Sequence, residues 1–303
     1  FPFAAFAEDA GAQAGAEPTQ QEQTTPVAKV AEVNGTQYDT LSAAINAVND
    51  GETIKLLDNV SESTAVVVDN GKTFSMDLNG KVLTLVKRMV IKSAFVTVQN
   101  GTVKGDIQVN VTDADEVYNS FTLAQNATID GDYGIIVAQK AYGANNFGST
   151  VNVNGKITGT SSALWVLGNI TTDWKNAKNP VVVNVGSTAV LTNPTAEKTA
   201  LQMAGSCVVT IEDGAQITGG TAVEVRAGKL VVNGGTITGT GTPTSSHPNG
   251  SGTSTVGAGI AIAQHTTKLP IDVVVNGGAI KGHTGFYVTN RQKNHRYQCC
   301  SKR

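Results

Sequence analysis

The sequence predicts an all-β chain, a single-stranded parallel β-helix (a solenoid of short strands) with one N-terminal capping α-helix. Three observations predict it. First, KLVVNGGTITG at 229–239 recurs as DVVVNGGAIKG at 272–282, with looser copies FVTVQNGTVKG at 95–105, TVNVNGKITG at 150–159 and VVTIEDGAQITG at 208–219. Second, each copy alternates apolar and polar residues, turns at Asn, Asp or Gly, and resumes around an Ile or Val, which is the period of strands. Third, 33 glycines among 303 residues, with 5% aromatic and 15% charged residues, suit many short strands and tight turns rather than helical packing.

The repeat extends further in degenerate form, at 120–131 (SFTLAQNATIDG) and 182–192 (VVNVGSTAVLT). A second apolar segment follows most copies: YGIIVAQ at 133–139, SALWVLG at 162–168, TALQMAG at 199–205, TAVEVRAG at 221–228, AGIAIAQ at 258–264 and TGFYVTN at 284–290. Two or three strands per unit, with no helix-length segment between units, are one coil of a solenoid. Such strands are too short to bury a core alone. Stacked about 4.8 Å apart on their equivalents in the next coil, they enclose a dry interior.

Alternation then predicts the inward residues. The first strand of each coil supplies pairs such as Val96 and Val98, Val151 and Val153, and Val209 and Ile211. The second supplies Val103, Ile129, Ile157, Val190, Ile217, Ile237 and Ile280. The third supplies pairs such as Leu164 and Val166, Val223 and Val225, and Phe286 and Val288. The Gly-, Ser-, Thr- and Pro-rich run 240–257 is a lateral excursion between the second and third strands of one coil, and 139–148 and 169–180 are shorter ones.

Before the regular coils, Leu41, Ala44, Ile45 and Val48 fall at helical spacing, with Thr40 or Asp39 as N-cap and Gly51 as the stop. This segment, within 36–60, is read as a helix closing the end of the stack together with the first strand. An uncapped coil would expose apolar core and strand edges. Strands follow around 53–58, 64–69, 73–78, 82–86 and 89–98.

The ends read differently from the body. FPFAAFA at 1–7 has the look of a residual signal peptide, with Ala5-Phe6-Ala7 as a small-x-small cleavage pattern, and 8–28 reads as a flexible polar leader. Residues 29–290 form the β-helix. The tail 291–303 is basic and carries Cys299 and Cys300, and reads as a truncation or frameshift. Three cysteines provide neither a disulfide framework nor a metal spacing. A formal net charge of −2, with no basic stripe, argues against nucleic acid as a partner. No run of apolar residues is long enough to span a membrane as a helix. The signal-like start points to a secreted or cell-surface location, and so few cysteines in an exported chain suggest a bacterial source.

The run VAEVNGTQYDTLSAAINAVNDGETIKLL, then FSMDLNGKVLTL at 74–85, then repeated VNGGTITG units, resembles secreted or cell-surface parallel β-helix proteins of Gram-positive bacteria, in the broad pectin-lyase-like group. The resemblance covers about 27–290 and implies a right-handed coil. It specifies fold far better than activity, because this architecture carries lyases, hydrolases, tailspikes and noncatalytic surface modules alike.

Catalytic signatures are weak. Of the Gly-His-Gly and Arg-Ile-Lys segments of polygalacturonase-type relatives, only Gly282-His283-Thr284 comes near. The acid groupings Asp113 with Asp115 and Glu116, Asp130 with Asp132, and Glu212 with Asp213 sit in turns, where solvated carboxylates are ordinary. Lys87-Arg88 is the only tight basic pair in the body. His247, His265 and His283 lie in loops or turns and share no helical face. No catalytic residue, metal ligand or cofactor is assigned.

The outward positions of the third strand are more suggestive. Coil by coil they run Ile136, Trp165, Gln202, Glu224, Ala261, Tyr287, beside Ala138, Leu167, Ala204, Arg226, Ala263, Thr289. Trp165, Gln202, Glu224 and Arg226, with Trp174 in the adjacent loop and Tyr287 further on, are the candidate carbohydrate-binding residues: sugar rings stack on aromatics while amide and charged groups bond hydroxyls. The alternative is that Trp165 packs as core under the 169–180 loop. The expected function is an exported noncatalytic surface module binding a polysaccharide or host glycan. A β-helix polysaccharide lyase or glycoside hydrolase, or a purely structural stalk, are the alternatives.

Overall fold

The computed structural model describes residues 28–110, 118–138, 148–243, 247–249, 252–263, 268–288 and 296–299. The signal remnant, all but the last residue of the leader, Asp113, Asp115, Glu116 and His265 lie outside this set.

Among the described residues each coil contributes one strand to each of three sheets, nine strands in the second and third and 12 in the first, which also holds Ala31–Val33, Thr36–Tyr38 and Arg296–Cys299, and strands equivalent in successive coils are neighbours. The chain is a parallel β-helix. Register is kept from coil to coil along the interior. In the first sheet Val98, Leu123, Val153, Val185, Ile211, Val232 and Val275 are successive partners. In the second, Leu83, Val103, Ile129, Ile157, Leu191, Ile217, Ile237 and Ile280 align. Except at the C-terminal end these side chains are sealed from solvent and form one continuous aliphatic core.

One inward assignment needs correcting. Leu191, not Val190, points into the core. The turn at 186–189 is one residue longer than the Asn-Gly-Gly turns, and its extra residue, Ala189, tucks inside, as Ala127 and Ala215 do in their own coils. A one-residue change of turn length flips the strand that follows.

The N-terminal end is closed by the helix Leu41–Ala47, whose Leu41, Ala44 and Ile45 are buried. Thr40 caps it, its side chain accepting from the Ala43 N–H at 3.1 Å. The helix stops at Val48, three residues before Gly51. There the backbone turns extended, and Lys72 Nζ donates to the Val48 carbonyl at 2.8 Å. Gly51, at φ 80, instead shapes the turn into Thr53–Leu56.

An antiparallel hairpin, Ala31–Val33 with Thr36–Tyr38, lies against Thr53–Leu56 and covers that edge of the first sheet. Its Asn34-Gly35 turn has both φ angles positive, at 48 and 79. The apolar run 89–98 divides into Met89–Ile91 and Phe95–Gln99, which belong to different sheets, and Val60–Glu62 and Ile107–Asn110 complete the early coils.

At the other end Phe286 and Val288 occupy inward positions yet are 40% and 42% exposed, because Thr284–Val288 is the last strand of the third sheet. Arg296–Cys299 pairs with Ile271–Val275, so strand pairing in the first sheet continues past residue 290.

Candidate functional site on the outer face of the third sheet

Register places Val67, Val90, Gln108, Ile136, Trp165, Gln202, Glu224, Ala261 and Tyr287 side by side on the outer face of the third sheet. The column runs in the order that strand alternation predicts, but the surface it makes is not uniform. Every residue of Thr221–Val225 and Ala258–Ile262 is buried, outward as well as inward. The excursion 240–257 returns across this part of the coil, where the Thr255 carbonyl accepts from Thr221 Oγ1 at 2.6 Å and the Gly220 carbonyl from the N–H groups of Gly241 and Gly257.

Glu224 and Arg226 are therefore not a solvent-facing pair of sugar ligands. Arg226 Nε donates to Glu224 Oε1 at 2.7 Å, Thr199 Oγ1 donates to Glu224 Oε2 at 3.3 Å, and both charged side chains are buried. Gln202 is half-buried beside them. Tyr287 lies four strand steps from Trp165, about 19 Å along the stack, too far to share a contact with it. Trp174 holds the ammonium groups of Lys175 and Lys229 at 5.3 and 5.1 Å from its ring centroid, a separate cation–π cluster.

Trp165 is half-buried, and its neighbours come from the opposite direction along the stack. Its ring stacks on Tyr133, centroids 5.1 Å apart and planes at 26°. The Arg88 guanidinium sits 5.8 Å from the Tyr133 centroid, its Nε lies 3.6 Å from Asp106 Oδ2, and its Nη1 donates to Gln108 Oε1 at 3.2 Å. Arg88, Gln108, Tyr133 and Trp165 thus form a continuous strip across successive coils.

Asp106 organises this strip. Its Oδ1 accepts from the backbone N–H groups of Asp132, Tyr133 and Gly134, at 2.9, 2.9 and 3.1 Å, and so holds the tight turn that carries the Tyr133 ring. The turn needs glycine at 134, where φ is +57 and a Cβ would collide with the Ala163 carbonyl. Asp132 accepts from Thr160 Oγ1 at 2.7 Å. Hydrogen bonds from Thr160 and Ser161, aided by the charges of Arg88 and Lys198, hold the Asp132 carboxyl below its ordinary value against the opposing effect of burial.

Beside the strip lies an open depression of ≈ 590 Å³, polar at Lys87, Arg88, Asp106 and Asp132 and apolar at Ala65, Val86 and Val90. An aromatic platform next to fixed charged groups can stack a sugar face and bond its hydroxyls.

Glu212 and Asp213 bond to the equivalent turn of the next coil. Glu212 accepts from Asn233 Nδ2 at 3.1 Å and Asp213 from the Gly235 N–H at 3.1 Å. His283 is exposed. Among the described residues, no group of three or more His, Cys, Asp or Glu side chains is placed to hold a metal ion, and no helix is long and apolar enough to cross a membrane.

Sequence reasoning found Trp165 and noticed the Lys87-Arg88 pair but did not connect them. The available signal was DGDYG at 130–134, an aromatic in a turn one coil before Trp165. No protein-family model, curated protein or solved structure matches the chain.

Proposed function

We propose that this chain is an exported, noncatalytic surface module of the pectin-lyase-like kind, right-handed and bacterial, that binds carbohydrate on the outer face of its third sheet. The observation that carries the reading is the Tyr133–Trp165 stack, set beside the Arg88–Asp106 pair on an open depression. Aromatic faces of this kind match the C–H faces of pyranose rings, and the neighbouring carboxylates and cations match their hydroxyls. The apolar segment FPFAAFA followed by a polar leader supports export. The strong chirality of parallel crossovers supports the right hand.

A glycan array on the purified chain, with reducing-sugar and unsaturated-product assays on pectins, host glycans and bacterial polysaccharides, tests the reading. Binding that is lost in Trp165→Ala without turnover in either form is the expected result. Turnover abolished by Asp132→Asn would establish the lyase or hydrolase alternative instead, and absence of any glycan binding would leave the stalk.

A further inference from the structure

The groove beside Arg88 has a composition that narrows its ligand. Its charged lining residues are Lys87 and Arg88 against Asp106 and Asp132, two of each sign, so its formal charge is zero. Arg88 is engaged by Asp106 and Gln108, and Asp132 by Thr160. A neutral lining of this kind offers no net attraction to uronate or sulfated chains, which a positive cleft would gather. It does offer hydrogen-bonding groups of both kinds within a small space.

The rest of the lining is aliphatic. Val86 is 65% exposed and Val67, register partner of the groove residue Val90, is 48% exposed. Single exposed apolar residues are ordinary, but here two adjoin one polar groove together with exposed Ala65. Hydroxyl-only sugars have no methyl group to place on such a lip. Val90 also lies three strand steps from Trp165 on the same face, about 14 Å, so platform and lip together suit an oligosaccharide rather than one ring.

Resting on the carbohydrate reading, we infer that the groove selects N-acetylated hexosamine chains. The acetamido group has the three parts that this lining complements: a methyl for Val86, Ala65 and Val90, an N–H for the Asp132 carboxylate, and a carbonyl oxygen for Lys87 or Arg88. The sugar rings continue across Tyr133 and Trp165.

Calorimetric titration of the full chain with triacetylchitotriose and with cellotriose tests this. The acetylated trimer is expected to bind about tenfold tighter, the lower end of the discrimination that one methyl group supplies. Val86→Thr, an exposed near-isosteric change, should shrink that ratio. Trp165→Ala should weaken both sugars. Equal affinity for the two trimers, or glycan-array binding of other sugars with none of triacetylchitotriose, overturns the acetamido inference and leaves the carbohydrate reading standing. Failure of every glycan to bind sinks both.

Discussion

Glu224 and Arg226 leave the same strand end on its outer side and meet at 2.7 Å, with side chains only 4% and 6% exposed. Residues two apart on a strand share a face, so the pairing is local. Its burial is not local, because segments returning from elsewhere in the coil shut out the water that would otherwise solvate both charges.

Removing one partner should be costly and removing both should not. Glu224→Ala is expected to destabilise the chain by about 3–5 kcal/mol, since it removes the carboxylate that is hydrogen-bonded to a buried guanidinium. Glu224→Leu with Arg226→Met should recover most of that. Urea denaturation of the two single variants and the double variant measures it, and additive single losses would show that the pair does not act as one unit.

Asp106 should matter to binding through the turn that it holds in place. Asp106→Ala deprives three backbone N–H groups and Arg88 of a shared acceptor, at a cost of about 1–3 kcal/mol, and releases the turn that presents Tyr133. Glycan affinity should fall toward that of Tyr133→Ala while the far-ultraviolet circular dichroism stays that of a β-helix. Unchanged affinity would remove Asp106 from any role in positioning the platform.

The register of the strand Val190–Thr192 can be read out by paired truncations. Leu191→Ala should cost about 2–5 kcal/mol as a core deletion, and Val190→Ala, on the half-buried outer face, less than about 1 kcal/mol. The reverse order in thermal or urea unfolding would place Val190 inside.

Asp132 adds a contribution that depends on pH. Its folded pKa is depressed from 3.8, chiefly by the Thr160 hydrogen bond, so the unfolded chain takes up the proton first as pH falls. The stabilisation is fully present above the unfolded value and is lost as pH drops below 3.8 through the folded value. Urea midpoints between pH 6 and pH 2 should therefore fall less in Asp132→Asn than in the parent chain. A parallel acid dependence in both would show that the hydrogen bond does not favour the ionised form.

Most of the coil was legible because its determinants are local. Alternation of Val and Ile with Thr and Asn sets the inner and outer faces, and the Thr40 cap needs only its own helix. The outer column from Ile136 to Tyr287 follows from the same period of two. Legibility failed where a turn changed length, as at Ala189, and where a strand was too short to carry a pattern of its own, as at Val60–Glu62.

The sequence by itself determined that this chain is a stacked-coil solenoid, that an N-terminal helix closes it, and that Trp165 stands on its outside. Only the tertiary structure decided what Trp165 faces. Stacking brought it to Tyr133, itself held by Arg88 and Asp106 of an earlier coil, while Glu224 and Arg226 were folded away under their own coil. The physical reason is that strand alternation specifies the side of the sheet a residue occupies. Its exposure there depends on which distant segments cross that face, and no short-range pattern carries that information.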